Sequence, residues 1–307
     1  MSMTNRAASL PWTTVLLLAL VFPGRKCSAQ DPAVTISNDR LRVTLATPTG
    51  LLAVDDLQSG VRWVQCVPSR VARGREWGNV RTRDISTGEL VQIEQAAAHG
   101  TRIRAQAVWR GHPFHVVIEL DAEDPVLAVT IDTPDREEPL PWKPGWAGTM
   151  LMTYPYAFRH ETHGAESVVP VDEGVIYSTR EVHTTADPRR WRPWWLHQKL
   201  SMPWWGVTDG NVGVMTQVDT PYDCMFSIQW VNTPAGERTL PQVTWVGSKQ
   251  CLAYPRRVTY RFVADGGYVA MAKAFRRSQQ AAGAFCSWED TTTTVGSRGD
   301  GLTATRR

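Results

Sequence analysis

The stretch Leu41-Arg42-Val43-Thr44-Leu45 decides the fold, because its apolar residues alternate strictly with polar ones. A period of two is typical of a β-strand that buries one face and exposes the other. Turn-forming residues follow at Pro48-Thr49-Gly50, and a second apolar run starts directly after them at Leu51. This order predicts an antiparallel hairpin and places it within a β-rich chain.

The same pattern recurs along most of the chain. Apolar runs are separated by polar turns at intervals of about 8–12 residues, as in all-β domains. Further predicted strands are Leu51–Val54, Val61–Val64, Leu90–Glu94, Arg102–Trp109, Phe114–Leu120, Val126–Ile131, Trp204–Val207, Val212–Val218, Met225–Trp230, Gln242–Val246 and Val258–Val263. Residues 133–146 and 179–203 are rich in proline, arginine or tryptophan and are predicted to be irregular. The sequence therefore predicts a mainly β protein, a large antiparallel β-sandwich, and not a series of βαβ units.

One α-helix is predicted near the C-terminus, over residues 266–283. Asp265 is its expected N-cap, and Gly283 is expected to end it. The residues at helical spacing on one face are Tyr268, Met271, Ala272, Phe275 and Ala282. We therefore expect the β domain and its helix to occupy residues 30–285. Residues 286–307 contain mostly Thr, Ser, Gly and Arg and are expected to form a disordered tail.

The N-terminus has the pattern of an export signal. Arg6 precedes about ten mostly apolar residues, Thr13 to Phe22, and Cys27-Ser28-Ala29 supplies the small residues expected before cleavage. The apolar run is too short for a transmembrane helix, which needs about 20 such residues. We expect residues 1–29 to be a signal peptide cleaved near Ala29, and the mature protein to be secreted or periplasmic with no membrane span.

The charge balance argues against a nucleic-acid partner. The chain has 33 Lys and Arg residues and 30 Asp and Glu residues. Three of the basic residues, Arg6, Arg25 and Lys26, lie in the expected signal peptide, which leaves 30 basic and 30 acidic residues. Nucleic-acid-binding domains concentrate positive charge, and the sequence has no basic block interleaved with aromatic residues.

The cysteines and histidines do not predict a metal site. After the expected cleavage the cysteines are Cys66, Cys224, Cys251 and Cys286. An even number in an oxidising compartment permits two disulfides, but buried free thiols explain the same residues equally well. The segment 160–163, His-Glu-Thr-His, lacks an evident third ligand, and a polar surface loop is the favoured interpretation. No metal and no other cofactor is predicted.

Tryptophan is the compositional outlier of this chain. There are 14 Trp residues, and nine of them lie between Trp142 and Trp245. The pairs Trp194-Trp195 and Trp204-Trp205 are candidates for stacking on the apolar faces of sugar rings. The alternative is that each pair is divided between the core and a covering loop. The sequence leaves both interpretations open.

Three polar residues near the second Trp pair are candidate ligand contacts. Asp209, Tyr222 and Asp223 are expected at the same end of the domain as these tryptophans. Glycoside hydrolysis uses two carboxylates that flank the scissile bond. Among Asp172-Glu173, Asp209, Asp219 and Asp223, no pair stands out as acid and nucleophile. No catalytic residue is therefore predicted.

Several segments together resemble a known domain. They are Ile36-Ser37-Asn38, Met202 to Gly210, Thr220 to Asp223, Arg257 to Phe262 and Gly267 to Arg276. Over roughly residues 33–285 the chain resembles the N-terminal galactose-mutarotase-like supersandwich of glycoside hydrolases related to the endo-α-N-acetylgalactosaminidase group. In that family the final strand and helix lead into a catalytic (β/α)₈ barrel that carries the acid and the nucleophile. Because only residues 284–307 follow the predicted helix, we expect this barrel to be lacking.

The resemblance implies a secreted carbohydrate-active protein. The expected role is that of the non-catalytic sandwich region, which recognises glycan or acts as a scaffold. The expected partners are a glycan or polysaccharide and the absent barrel domain. Two alternatives remain, a self-sufficient sugar epimerase or lyase on a supersandwich, and a purely structural interaction domain. Mutarotases proper place a His acid and a Glu base in the sandwich, but that pair has no match here.

Overall fold

A computed structural model describes the larger part of the chain. The described residues are 33–74, 80–86, 90–137, 152–161, 165–171, 174–180, 194–196, 200–247 and 251–284. The expected signal peptide, the expected C-terminal tail, and most of the stretches 133–146 and 179–203 lie outside these ranges. Within the described ranges, no helix has both the length and the hydropathy that crossing a membrane requires.

The described residues form antiparallel β-strands and one α-helix near the C-terminus, which confirms the predicted fold class. The first ten strands are β1 (Ala33–Ser37), β2 (Leu41–Ala46), β3 (Leu51–Asp56), β4 (Val61–Cys66), β5 (Pro68–Gly74), β6 (Val80–Asp84), β7 (Gln92–His99), β8 (Arg102–Trp109), β9 (His112–Leu120) and β10 (Val126–Asp132). The remaining strands are β11 (Ala157–His160), β12 (Glu166–Val169), β13 (Val175–Ser178), β14 (Trp194–Trp195), β15 (Trp204–Thr208), β16 (Gly213–Val218), β17 (Cys224–Thr233), β18 (Gly236–Trp245) and β19 (Arg256–Val263). The helix α1 spans Gly267–Ala281.

The strands are arranged in three sheets. The first sheet has the order β1-β2-β3-β4-β11. The second, nine-stranded sheet has the order β13-β12-β15-β16-β19-β10-β9-β8-β7. In the third sheet the order is β14-β17-β5-β6, and β18 pairs with β17. This sandwich-like arrangement of antiparallel sheets is what the turn-separated strand pattern predicts.

The hairpin of β2 and β3 shows why the first sheet forms as predicted. Leu41, Val43 and Leu45 are buried, whereas Arg42 is exposed between them. The turn before β3 contains Gly50 in the left-handed region, with φ 67°. A glycine suits this turn because it adopts positive φ without the steric penalty of a Cβ atom.

The centre of the nine-stranded sheet is covered on both faces. All five residues of β15 are buried, and alternate residues contribute to two separate apolar clusters. Trp205 and Val207 join the main core between the sheets. Trp204 joins a smaller cluster on the opposite face, where Met271 and Phe275 of α1 cover the sheet. A strand buried on both faces has a continuous apolar sequence, as Trp204–Val207 does.

The helix α1 lies on the nine-stranded sheet, but its buried face differs in part from the predicted one. Met271 and Phe275 are buried as predicted, together with Ala274. Tyr268 and Ala272 are exposed instead, and Ala282 lies just beyond the end of the helix as its C-cap. The predicted helical period is therefore correct, but the observed buried face is rotated relative to the predicted one. The sheet contacts only a narrow stripe of the helix.

The ends of α1 are formed by glycines. Gly266, and not Asp265, is the N-cap residue, with φ 81° and no side-chain cap. The carboxylate of Asp265 accepts a hydrogen bond from the N–H of Gly266, at 2.7 Å. It does not cap the first turn of the helix, so this prediction is wrong. Gly283, with φ 65°, donates its N–H to the carbonyl of Gln280 and ends the helix as predicted.

Candidate functional site

The second tryptophan pair is packed inside the protein. Trp204 is 4% exposed and Trp205 is 3% exposed, although they are adjacent in sequence. Trp205 packs against Phe226 of β17, with ring centroids 5.3 Å apart. Trp204 packs on the other face against Phe275 of α1, at 6.0 Å. Both indole rings therefore serve the two apolar clusters, and neither offers a face to a ligand in this arrangement.

The first tryptophan pair lies at one end of the third sheet. Trp194 and Trp195 form the short strand β14 and pair with Phe226 and Met225 at the start of β17. Trp195 is half-buried, and of Trp194 only the backbone is described. Because Asp223 directly precedes β17, the structure brings this pair close to two of the predicted polar residues, Tyr222 and Asp223.

Asp209 does not join these residues. It follows β15 at the turn into β16, where Thr208 pairs with Gly213, whereas Trp204 pairs with Gln217 at the other end. A strand rises about 3.3 Å per residue, so this turn is about 15 Å from the end where Trp204 lies. The carboxylate of Asp209 accepts the N–H groups of Asn211 and Val212. Its role in the structure is to close the hairpin, and the expectation that it lies at the same end is wrong.

A buried arginine organises the end where Tyr222 and Asp223 lie. The Arg256 side chain has no solvent exposure, and its guanidinium lies 3.5 Å from the centre of the Tyr254 ring. Nη2 donates to the carboxylate of Asp223 at 3.2 Å and to the carbonyl of Val246 at 3.2 Å. The hydroxyl of Tyr254 donates to the same Asp223 oxygen at 2.8 Å. We call Trp195, Tyr222, Asp223, Tyr254 and Arg256 the aromatic end.

Burial and charge shift the ionisation of this cluster. Burial raises the pKa of Tyr254, and the neighbouring Asp223 carboxylate raises it further. Burial lowers the pKa of Arg256, against the opposing effect of Tyr254 and Asp223. A guanidinium stays protonated at any physiological pH, so Arg256 holds Asp223 in place as a charged partner. Tyr222, which directly precedes Asp223, is 78% exposed. Among the five residues of the aromatic end, it is the large aromatic side chain that is exposed to solvent.

The candidate catalytic carboxylates within the described residues, Asp209, Asp219 and Asp223, each accept hydrogen bonds from the protein. Asp219 accepts from the hydroxyl of Thr259 at 2.6 Å and from the amide of Gln217 at 2.9 Å. Its carboxylate also lies 3.4 Å from Nε of Arg257. Burial raises the pKa of Asp219, and these donors oppose the shift. Asp172 and Glu173 lie outside the described residues.

Within the His-Glu-Thr-His segment, the structure contradicts the predicted polar surface loop at His160. His160 is the last residue of β11 and is buried. Its ring meets the indole of Trp63 edge to face, with centroids 5.4 Å apart. Glu161 is exposed, and His163 lies outside the described residues. In the described part of the chain, no three His, Cys, Asp or Glu side chains converge as metal ligands would.

Two of the four cysteines are buried thiols, so the arrangement with two disulfides is wrong. Cys66 and Cys224 are both buried and not bonded to another cysteine. Nε of Arg159 donates to Sγ of Cys66 at 3.1 Å. Burial raises the pKa of both thiols. Cys251 is half-buried, and Cys286 lies outside the described residues.

The structure also contains a cleft that sequence reasoning missed. It has a volume of about 390 Å³, and its lining includes Arg159, Arg180, Arg238 and Leu240. Arg159 belongs to β11 of the first sheet, Arg180 follows β13 of the nine-stranded sheet, and Arg238 belongs to β18 of the third sheet. We call this the arginine cleft. The three arginines are far apart in sequence, and no local motif marks them.

Among known structures, the fold is similar to that of an α-N-acetylgalactosaminidase, NagBb from Bifidobacterium bifidum. A quadruple mutant of NagBb superposes with a TM-score of 0.58 and 11% identity, over 85% of this chain and 41% of that chain. The GalNAc complex of NagBb gives a TM-score of 0.57 and 14% identity, again over 85% of this chain and 41% of that one. The chain thus spans about two fifths of the length of NagBb. No protein-family model and no curated protein matches the sequence.

Proposed function

We propose that this chain is the sandwich region of a carbohydrate-active protein and that it recognises or supports a glycan without performing catalysis itself. The observation that carries the proposal is the shared fold, since 85% of this chain superposes on part of a glycoside hydrolase with a TM-score of 0.58. A shared fold does not establish a shared function. The chemistry of the surface therefore has to support the proposal as well.

The proposed glycan contacts lie at the aromatic end. A sugar ring presents apolar C–H faces that stack on aromatic rings, and hydroxyl groups that need hydrogen-bond partners. Tyr222 offers an exposed ring, and Trp194 and Trp195 form the neighbouring strand. The Asp223 carboxylate, held by Arg256 and Tyr254, is pre-organised to accept a hydrogen bond from a sugar hydroxyl. Trp205 has a supporting role underneath, because it packs on the Phe226 residue that pairs with Trp194. Trp204 packs on the other face of its sheet, against Phe275 of α1.

The proposal includes export and a second domain. The sequence pattern of residues 1–29 supports a signal peptide, which places the protein where extracellular glycans are found. NagBb has additional chain beyond the part that this sandwich matches. We propose a catalytic barrel of the kind found in the glycoside hydrolase family as the partner that such a sandwich would support.

A glycan-array screen of the full chain tests the proposed function. We expect saturable binding to at least one glycan, with a change in tryptophan emission as Trp195 is covered. Replacing Tyr222 by Ala is expected to weaken that binding roughly threefold to tenfold, the range for an aromatic contact. Tyr268→Ala is the matched control, since Tyr268 is an exposed tyrosine on α1. A folded protein that binds no glycan, or equal losses in both variants, contradicts the proposal.

A further inference from the structure

The arginine cleft carries an excess of positive charge. Arg159, Arg180 and Arg238 line it, and Glu161 is the acidic residue among the described residues of its lining. Glu161 is exposed, and its carboxylate lies 3.8 Å from Nε of Arg62, which does not line the cleft. Three guanidinium groups and one carboxylate leave a net charge of +2 in the described lining.

Neutral acceptors hold two of these guanidinium groups. Arg159 donates Nε to Sγ of Cys66 and Nη1 to the carbonyls of His160 and Glu161, at 3.1, 2.9 and 2.6 Å respectively. Arg238 donates Nη1 and Nη2 to the carbonyls of Glu237 and Ala235, each at 2.8 Å. Sulfur and carbonyl oxygens orient a guanidinium but do not cancel its charge. The two groups are therefore fixed in position while their charge stays uncompensated.

Donors remain available on the same two side chains. Within the described residues, Nη2 of Arg159 and Nε of Arg238 make no hydrogen bond, and the Arg180 guanidinium has no carboxylate partner. Both Arg159 and Arg238 are half-buried. A half-buried cation interacts more strongly with an anion than a fully solvated one does, because less water screens the pair. The guanidinium fork also matches the planar or tetrahedral oxygens of a carboxylate or sulfate.

The rest of the lining suits a sugar ring. Pro234 and Ala235 are exposed and give the cleft an apolar surface, with the buried Leu240 and Ala165 also in its lining. The volume of about 390 Å³ lies in the range of small-molecule sites, about 300–1,000 Å³. A cleft that combines an apolar wall with a few fixed charged donors binds a ligand that has an apolar face and an anionic group.

We propose that the arginine cleft binds an anionic sugar residue, one that carries a carboxylate or a sulfate group. The anionic group contacts Arg159, Arg180 and Arg238, and the ring lies against the exposed apolar residues Pro234 and Ala235. That the ligand is a sugar rests on the proposed function, whereas its negative charge follows from the arginines alone. The site is separate from the aromatic end, because Arg238 lies near the Thr233–Gly236 turn and Met225 at the opposite end of the β17–β18 hairpin.

Calorimetric titration of the full chain with four probes tests this proposal. The probes are glucuronate, glucose 6-sulfate, glucose and inorganic sulfate. We expect glucuronate or glucose 6-sulfate to bind at least about tenfold more tightly than glucose, as one charge-assisted contact provides. The tighter of the two acidic sugars identifies the anionic group. Added salt is expected to weaken this binding, because it screens the charges.

Variants locate the binding. Arg180→Met and Arg238→Met are each expected to weaken acidic-sugar binding about tenfold. Arg40→Met is the matched control and is expected to change nothing, since Arg40 is exposed and contacts Gln58 outside the cleft. The affinity of Arg180→Met can be measured on a folded protein, because this side chain is exposed and its replacement leaves the core intact.

Three results would overturn the proposal. They are equal affinity for glucose and the acidic sugars, equal affinity for inorganic sulfate and glucose 6-sulfate, and unchanged affinity in both Arg variants. The proposed function fails by a different result, the absence of any glycan binding that depends on Tyr222. The two proposals can therefore fail separately.

Discussion

The aromatic end and the arginine cleft differ in how their functional groups are engaged. At the aromatic end, Arg256 is surrounded by Asp223, the Tyr254 ring and backbone carbonyls. In the arginine cleft, neutral acceptors hold Arg159 and Arg238, and their positive charge stays uncompensated. The two regions therefore differ in charge balance: the charged groups of the aromatic end pair within the protein, whereas no described carboxylate pairs with the arginines of the cleft.

Trp205→Ala gives the largest expected effect and tests whether the tryptophan beneath the aromatic end is structural. The side chain is 3% exposed and packs on Phe226, so its removal leaves a cavity in the main core. We expect a loss of about 3–5 kcal/mol in the free energy of unfolding, measured by urea denaturation. Tyr222→Ala, on the exposed side, is expected to cost less than about 0.5 kcal/mol. Similar losses of stability in both variants would show that the buried Trp205 and the exposed Tyr222 do not differ in structural role.

Arg256→Met tests the claim that charge is neutralised at the aromatic end. It removes the fully buried partner of Asp223 and leaves that carboxylate and the Tyr254 hydroxyl without their cation. Removing one partner of a buried pair costs about 3–5 kcal/mol, and because Asp223 is partly exposed we expect about 2–4 kcal/mol. Arg180→Met in the arginine cleft is expected to leave stability within about 0.5 kcal/mol of the wild type. A larger loss of stability in Arg180→Met than in Arg256→Met would contradict the claim that the protein neutralises charge at the aromatic end and not in the arginine cleft.

Gly206→Ala tests the packing of Trp204 beneath α1. A Cβ atom at Gly206 would overlap Sδ of Met271, so the end of this buried side chain has to move within the cluster beneath α1. Overpacking of this kind costs about 1–3 kcal/mol. The change is expected to alter tryptophan emission as well, because Trp204 packs on Phe275 of the same helix.

A double-mutant cycle supplies the control for this position. Combining Gly206→Ala with Met271→Ala relieves the overlap, so the double variant is expected to lose less stability than the sum of the two single losses. Additive losses would show that α1 does not contact β15 through Met271.

Asp219→Asn has the smallest expected effect and concerns the pH dependence of stability. Burial raises the pKa of Asp219 above its ordinary value of 3.8, so the folded state binds a proton more tightly than the unfolded state. The stabilisation is present below about pH 4 and is lost as the pH rises through the raised pKa of the folded state. We therefore expect the free energy of unfolding of the wild type, relative to Asp219→Asn, to fall with rising pH over this window.

Urea denaturation at a series of pH values measures this difference. Asp209→Asn, which removes a carboxylate from an exposed hairpin turn, is the control for the loss of charge. A difference that rises with pH would show that the donors Thr259 and Gln217 outweigh burial at Asp219.

The strands that the sequence predicted correctly are those with regular alternation or well-marked turns. β8 has the predicted bounds, and β2, β9 and β10 differ from them by at most two residues. The missed strands include β1, β5 and β6, of five to seven residues, and β11 to β14, which are only two to four residues long. Such short segments have too few residues for a period to be recognised. They become strands because neighbouring strands pair with them.

The candidate site was predictable only in part. Adjacent residues of a strand point to opposite faces, so the sequence already implied that Trp204 and Trp205 point apart. It did not show that α1 covers the second face, or that Asp209 lies at the far end of β16. The arginine cleft could not be predicted, because its arginines come from three different sheets.

By itself, the sequence determined the antiparallel β architecture, the main hairpins and the existence of α1. These features follow from local backbone geometry, in which a period of two or of 3.6 residues selects the element. The tertiary structure decided which aromatic rings are buried, which carboxylates are engaged and which arginines converge. Those outcomes depend on contacts between residues as far apart as Arg159 and Cys66, and they arise only when the sheets pack together.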